Sequence, residues 1–598
     1  MRSHFCSVCV ALVVIACSPS TPLPMDSGFV DTGDTIASDS AVESGTTSDP
    51  DAGRDAGGDV AAFVRYTGPD DYCPGSAHCA TEGDGVLYVG AARELINPTL
   101  VESAWTDSNN NGLYESGEPF VDLNGNGLFD ATWIAGFSSS RPATGMHDDL
   151  EARALALRSG DTLVAVVSLD IVGLFRDDIE RIRSHSSLQE LGIDHVIVAS
   201  THLHEGVDTV GLWGRSATES GVNRTYQTLV VERAARAVRS AVLAARQPNA
   251  RALIRVAQTP TANAMMDTRD YVSDTRDPVI FDPTLTLVQF VRDDASRETI
   301  ATWVNWAAHP EYTGSRNNLL SADYVHTLRE TLERGDTGLG LAGVGGTTVF
   351  VNGALGGQVG PGDAAPLGRD NMPVRMGGFA KAEACGLRVA QLGLEALETA
   401  RRGDNEGLVV GPTPVRYRTA RTYARVTNRL YWLGFQFRVL ARELTNFNRN
   451  YPPGMSNVPW VESRVSYLQV GPVATITAPG ELHPELWIGS ADMRWSWGQP
   501  RVTETENPPD FGRAPPPPYL RDDMLANPEV RYAFVSGLAQ DFLGYIVADW
   551  NFALHPTSPY LSRAAGHHYE ETNSIGPDSQ EHLFGPMVSL ARWRAPAR

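Results

Sequence analysis

Thr162-Leu163-Val164-Ala165-Val166-Val167-Ser168-Leu169 is an uncharged run rich in β-branched residues. Such a run reads as a strand buried on both faces, as in a parallel or mixed sheet. It stops at Asp170, which a strand terminus would present at the sheet edge. A helical pattern over residues 176–191 follows, and then a second apolar run, Asp194-His195-Val196-Ile197-Val198-Ala199. Strand, helix and strand in that order make a βαβ unit, so the chain is expected to be α/β. Working outward, the pattern predicts a first strand over 86–92 and a long helix over 226–245 with Val231, Ala235, Val238, Val242 and Ala245 as its apolar stripe. Strands are predicted over 285–291, 299–306 and 348–352, and helices over 322–332 and 378–400. A Gly-rich turn spans 353–362. Past Arg421 the pattern is less regular, with strands again at 473–477, 532–536 and 545–548. The expected fold is a layered α/β body with a mixed sheet over residues 63–598, its ordered part starting near Val64, with no internal repeat.

The chain has 598 residues, 42% of them hydrophobic and 20% charged, and a net charge of -22. Nothing basic and contiguous is available to neutralise phosphates, which excludes nucleic acid as a partner. Part of the charge is local: residues 25–60 carry nine acids against the single base Arg54. That Asp/Ser/Gly/Thr-rich stretch, residues 18–62, is too polar to bury and reads as a disordered tether. Ahead of it, Arg2, the apolar run Phe5 to Ala16 and Val14-Ile15-Ala16-Cys17 read as a lipoprotein signal peptide over residues 1–17. Cys17 is then the lipid-attachment site, and Ser18 after it points to a lipid-anchored protein of the bacterial cell envelope, at the outer membrane. The other reading is a plain cleaved signal peptide. No later segment approaches the ~20 apolar residues that span a bilayer. Cys73 and Cys79 are near enough in sequence to pair in an oxidising compartment, and Cys385 lies in a helical pattern as a buried thiol.

The second strand of the βαβ unit runs into Thr201-His202-Leu203-His204. Imidazoles at i and i+2 on a strand or strand end project the same way, and neutral imidazole is the commonest ligand for a transition metal. Two ordinary polar residues at a strand end are the plain alternative. Other strand ends carry ligand-type residues as well, His309 after 299–306 and Glu481 after 473–477. A separate insertion over 105–133 contains Asp107, Asn109, Asn111, Gly112 and Glu118, matching the spacing of a calcium loop, D-x-[DN]-x-[DN]-G-x5-E. A half-repeat, Asp122 to Gly127 and Asp130, has Trp133 where its closing acid would stand. The flanks read as loops, and the ion expected there is a structural Ca2+.

These tokens, taken in order, resemble the catalytic domain of the neutral (non-lysosomal) ceramidases. The resemblance runs from Leu87 to Gly576 and rests on Val89-Gly90-Ala91-Ala92, Gly145-Met146-His147-Asp148-Asp149-Leu150, Thr201-His202-Leu203-His204, Ala307-Ala308-His309-Pro310, Ser321-Ala322-Asp323, Pro479-Gly480-Glu481 and Tyr569-Glu570 with Gly576-Pro577. It implies a catalytic Zn2+ held by His202, His309, Glu481 and Tyr545. It also implies His204 as a neighbouring proton carrier and Tyr569 as the donor to a developing oxyanion. The activity implied is hydrolysis of an amide bond in an N-acylated, sphingolipid-type substrate. Three departures stand out. Gly360, in Gly356-Gly357-Gln358-Val359-Gly360-Pro361, falls where the family carries a Ser, and a glycine offers no nucleophile. The family's substrate-contacting Arg falls near Asn263-Ala264-Met265-Met266, with Arg269 as its nearest replacement. The family's C-terminal β-sandwich has no counterpart. A surface binding lipoprotein that kept the fold without the chemistry, and a calcium-dependent adhesion module, are the two competing expectations.

Overall fold

The computed structural model describes residues 69–596, apart from Thr275, Val359, Pro453, Met455, Met493, Ser496 and residues 500–504. The signal, Cys17, the tether and the start near Val64 lie outside the described residues. Two sheets face each other across a shared apolar cluster, and helices cover both outer faces. The layered α/β architecture with mixed sheets is as expected.

The larger sheet has eight strands, β1 (Leu87–Leu95), β2 (Glu151–Ser159), β3 (Thr162–Leu169), β4 (His195–Ser200), β5 (Arg251–Pro260), β6 (Thr284–Arg292), β7 (Thr299–Trp306) and β8 (Thr347–Asn352). Their order across the sheet is β8-β7-β6-β5-β1-β2-β3-β4. The outermost pair at each edge, β7 with β8 and β3 with β4, is parallel, and the pairs between are antiparallel. Every residue of β3 is buried, as its unbroken apolar run requires. Helices α1 (Arg176–Arg183), α2 (Arg224–Ala245), α3 (Asp323–Arg334) and α4 (Phe379–Arg401) form the layer on the outer side, α2 against β1 and β2, α4 against β5 and β6. All five predicted stripe residues of α2 are buried. The α2 backbone comes so close to β1 that a Cβ on Gly90 would lie 2.2 Å from Ala241 O.

The smaller sheet runs Pro69–Cys73, β9 (Val415–Arg425), β10 (Trp460–Val470), β11 (Val473–Thr477) and β12 (Tyr532–Ser536), with only the last pair parallel. Helix α5 (Arg429–Gln436) links β9 to β10, and α6 (Asp578–Ala591) covers the far face of β9 and β10.

The segment past Arg421, where the pattern is less regular, holds the end of β9, helix α5 and β10, which pairs antiparallel with β9. The alternating burial of β9 is a period-two signal masked by Arg416, Arg418, Arg421 and Arg425 on its outward positions. The predicted helix over 176–191 stops at Arg183, where Ser184 accepts the C-terminal position, and resumes only as a short 3₁₀ turn, Gln189–Leu191. The strand expected over 545–548 is two residues, Tyr545–Ile546, beside Glu481–Leu482. Asp170 is not at an open edge. It is fully buried and takes both Nη atoms of Arg329 from α3, at 2.9 and 2.7 Å. Cys73 and Cys79 form a disulfide, and Cys385 is a buried free thiol. Among the described residues no helix is long and apolar enough to cross a membrane.

Strands in a sheet rotate by about 20–25° per neighbour, and across the seven steps of the larger sheet this turns its edges towards one another. Asn352, at the end of β8, joins them. Its Nδ2 donates to Thr201 O beyond β4 and to Ala308 O beyond β7, at 3.1 and 2.9 Å, while its Oδ1 accepts from Ala308 N at 3.1 Å. The loop after β12 fills the remaining side, with Leu538 O accepting from Ser200 N and Leu538 N donating to Gly480 O. Four strand ends far apart in sequence therefore share one pole of the molecule.

Candidate metal centre

At that pole His202, His204, His309 and Glu481 are buried together. The two histidines after β4 do not sit on the strand, contrary to the strand-face reading. The strand ends at Ser200, and His202 has φ +68°, in the left-handed region. Such a conformation costs a non-glycine residue on the order of 1 kcal/mol or more. It is held by Thr201 N donating to Leu169 O, by His202 N donating to Ile171 O, and by the ring itself, whose Nδ1 lies 2.8 Å from Val172 O. A carbonyl on Nδ1 assigns the proton there and leaves the Nε2 lone pair facing inward.

That Nε2 lies 3.3 Å from Glu481 Oε2 and 3.4 Å from His204 Nε2. His309 Nε2 approaches the same Glu481 oxygen at 3.2 Å. Ligand atoms of the three histidines all lie within 4.8 Å of one another. Donor atoms about 3.3 Å apart match the edges of a tetrahedron with bonds of ~2.0–2.1 Å, a spacing compatible with a metal ion. Glu481 is placed by its N–H on Gly544 O and by pairing with Tyr545 across a short parallel bridge. Tyr545 is buried, its ring 6.4 Å from that of His309 and 29° from parallel to it. Tyr569 comes next, 5.9 Å from the Tyr545 ring, with the Arg563 guanidinium over its own. His202, His204, His309 and Glu481 thus form one cluster, with Tyr545 beside His309 and Tyr569 beyond Tyr545.

The surroundings shape the charges. Burial alone would raise the Glu481 carboxyl, but the His202 imidazole and then His309 pull it far below the usual carboxylate range. Burial likewise opposes protonation of His202, and Glu481 outweighs it, so His202 moves up. At His204 burial prevails over the neighbouring Glu311 and pushes the imidazole down to about 4. Glu311, which no motif in the sequence marks, is buried with its Oε2 at 3.1 Å from His204 Nδ1. Behind it the fully buried Arg141 pairs with Glu205 at 3.2 Å and also reaches the carbonyls of Ala135 and His204. The one sequence cue to Glu311 is its place two residues after His309; nothing local predicts that it turns back to a residue on another strand end.

Of the other sequence candidates, Gly360 borders the cluster and the rest lie elsewhere. Gly360 has φ +76°, and a Cβ there would stand 3.5 Å from Glu311 Oε1. Arg269 is half-exposed and pairs with Asp267 at 3.2 Å. In the insertion, Asp107 accepts from Asn111 N and Gly112 N, and the side chains of Asn109 and Asn111 both donate to Glu115 Oε1. Glu118 is turned to Trp105 Nε1 and Ser108 N. The half-repeat copies this arrangement: Asp122 accepts from Gly125 N and Gly127 N, and Asn124 and Asn126 donate to Asp130. The repeat unit is thus nine residues long, with Glu115 and Asp130 in equivalent places. A second His/Cys/Asp group, Cys73, His78, Cys79 and Asp194, has its cysteines committed to the disulfide.

No family model matches this chain, and no curated protein sequence matches it. Among solved structures it is similar to neutral ceramidase from Pseudomonas aeruginosa, with a TM-score of 0.54 and 16% identity over 85% of this chain and 74% of that one. A structure described as ceramidase complexed with C2 is similar to the same degree, with a TM-score of 0.54 and 15% identity over 85% and 75% of the two chains. At these identities the likeness is one of fold.

Proposed function

We propose that this chain is a metal-dependent hydrolase of the neutral ceramidase type, cleaving the amide bond of an N-acylated, sphingolipid-type substrate. The observation that carries the reading is Glu481 Oε2 set between His202 Nε2 and His309 Nε2, at 3.3 and 3.2 Å, in the protein interior. Two carboxylates, Glu481 and Glu311, are buried there among imidazoles, while the nearest guanidinium, Arg141, is engaged by Glu205. Buried anions need a compensating cation, and one divalent ion balances both. Two imidazoles and a carboxylate, with a phenol alongside, are a donor set that suits zinc. His202, His309 and Glu481 would hold the ion, with Tyr545 beside them. When bound, zinc supplies a polarised carbonyl and a water whose pKa is brought towards ~7.

The chain's own residues do the rest. His204 presents Nε2 towards His202 and can take and return a proton there. Tyr569 offers a phenolic O–H to the negative charge that develops on the carbonyl oxygen. Gly360 supplies no nucleophile, so the attacking oxygen is water. The Phe542 ring, at the edge of a narrow apolar crevice lined by Phe175, Val210, Tyr431, Phe435 and Leu440, lies 6.0 Å from that of His202. Attachment through Cys17 at the outer membrane would bring the site to its lipid, and Ca2+ in the insertion would be structural.

Purified protein is expected to hold about one zinc ion. His202→Ala should lose both the metal and hydrolysis of an N-acyl amide. Wild-type protein that binds no transition metal would sink the reading. The second reading, a binding module on the same fold, is favoured by Gly360; zinc-loaded protein inert against a panel of amides and esters would select it.

A further inference from the structure

Glu311 is a buried acid with one polar neighbour of consequence. Its Oε2 lies 3.1 Å from His204 Nδ1 as an ion-pair contact, and neither that Nδ1 nor Glu311 Oε1 has an aligned hydrogen-bond partner. We propose that Glu311 is the positioning residue of the centre: it takes the Nδ1 side of His204 and so presents Nε2 to the His202–His309–Glu481 cluster. The proposal rests on the metal-site reading above and adds a residue to it.

The rest of the molecule already fixes the backbone of His204. Its N–H donates to Pro310 O at 3.2 Å, and its carbonyl accepts from Arg141 Nη2. Gly136, with φ +106°, is packed so close that a Cβ there would lie 2.6 Å from His204 Cβ. Phe137 meets the imidazole edge-on at 5.4 Å. These contacts leave the ring a single open choice, which of its two nitrogens faces the cluster. A carboxylate beside one imidazole nitrogen makes that nitrogen the N–H and the other the lone pair, and it fixes the ring plane as well. His202 has the same arrangement by other means, with a backbone carbonyl on Nδ1.

The neighbourhood leaves Glu311 little else to do. Arg141 is held by Glu205, which also takes Asn317 Nδ2 at 2.9 Å. The other carboxylate oxygen looks towards Gly360, where a side chain is missing. No arginine or lysine forms an ion pair with this buried carboxylate; its charged contact is the imidazole of His204. Keeping one against a single imidazole fits a residue whose task is to orient that imidazole.

Glu311→Ala, Glu311→Gln and His204→Ala should be compared with wild type for bound zinc under chelator competition and for kcat and KM on one N-acyl amide. Glu311→Ala should keep its zinc and its KM while kcat falls by about 10²–10³-fold, the range of a displaced proton carrier. Glu311→Gln, whose amide oxygen can still accept from Nδ1, should recover to within about 10-fold of wild type. The double variant with His204→Ala should be no slower than His204→Ala alone. Loss of zinc from Glu311→Ala at the chelator concentration that strips His202→Ala would overturn the proposal, because the pair would then be supplying donors. Zinc-loaded Glu311→Ala with unchanged kcat would overturn it as well. Wild-type protein without zinc would bring down the metal reading together with this one, and is told apart from the other two outcomes by that measurement alone.

Discussion

At the scale of single residues, the centre depends on groups whose identity was visible and whose orientation was not. His202, His309 and Glu481 each follow an apolar run in the sequence, and the structure brings both imidazoles to within 3.2–3.3 Å of one Glu481 oxygen. What turns them inward is a backbone that no motif encodes, the left-handed His202 and the carbonyl of Val172 on its Nδ1. Glu311 was missed for a similar reason, since its partner His204 is over a hundred residues away. Tyr569→Phe removes an O–H donor and leaves the metal donors in place; kcat should fall by about 10–10³-fold with zinc content unchanged, as metal analysis and steady-state kinetics would show. Gly360→Ser should not gain activity through a new nucleophile. Its φ of +76° costs a side chain on the order of 1 kcal/mol, and the hydroxyl would fall within reach of Glu311 Oε1. A Gly360→Ser enzyme faster than wild type, trapped as an acyl-enzyme, would contradict this.

At the scale of elements, the well-predicted ones are those with a clean period. Strands β3, β7, β11 and β12 have the boundaries read from the sequence, and the α2 stripe is buried throughout. Strand β9 is masked by arginines on its outward positions, and β2 and β5 by charged residues that the fold buries, Glu151, Arg153 and Arg255. Two contacts between elements make testable claims. Gly90→Ala puts a methyl group into the α2 backbone, and urea unfolding should show a loss of about 1–3 kcal/mol or more. Asp170→Ala strands the buried Arg329 and should cost about 3–5 kcal/mol while leaving zinc content unchanged.

At the scale of the whole molecule, one half-buried acid far from the His202–His309–Glu481 cluster ties stability to pH. Asp194, at the mouth of β4, accepts Leu163 N at 2.6 Å, and burial holds its carboxyl up at about 6 in spite of that bond. The folded protein therefore binds this proton more tightly than the unfolded chain does. The stability it contributes is full below about pH 4 and is lost as pH rises through about 6. Asp194→Asn should be more stable than wild type at pH 8 by on the order of 2 kcal/mol, and the difference should vanish near pH 4. Equal stabilities at pH 8 would show that the acid is not held up. The sequence alone determined the α/β class, most of the strand and helix register, and which residue types were available to hold a metal, because periodicity and residue chemistry are local properties. Only the tertiary structure decided that four strand ends share a pole, that the histidines lie beyond their strand, and that Glu311 stands behind His204. Those outcomes follow from accumulated sheet twist and from long-range contacts such as Asn352 to Thr201 and Ala308, which no local stretch of chain contains.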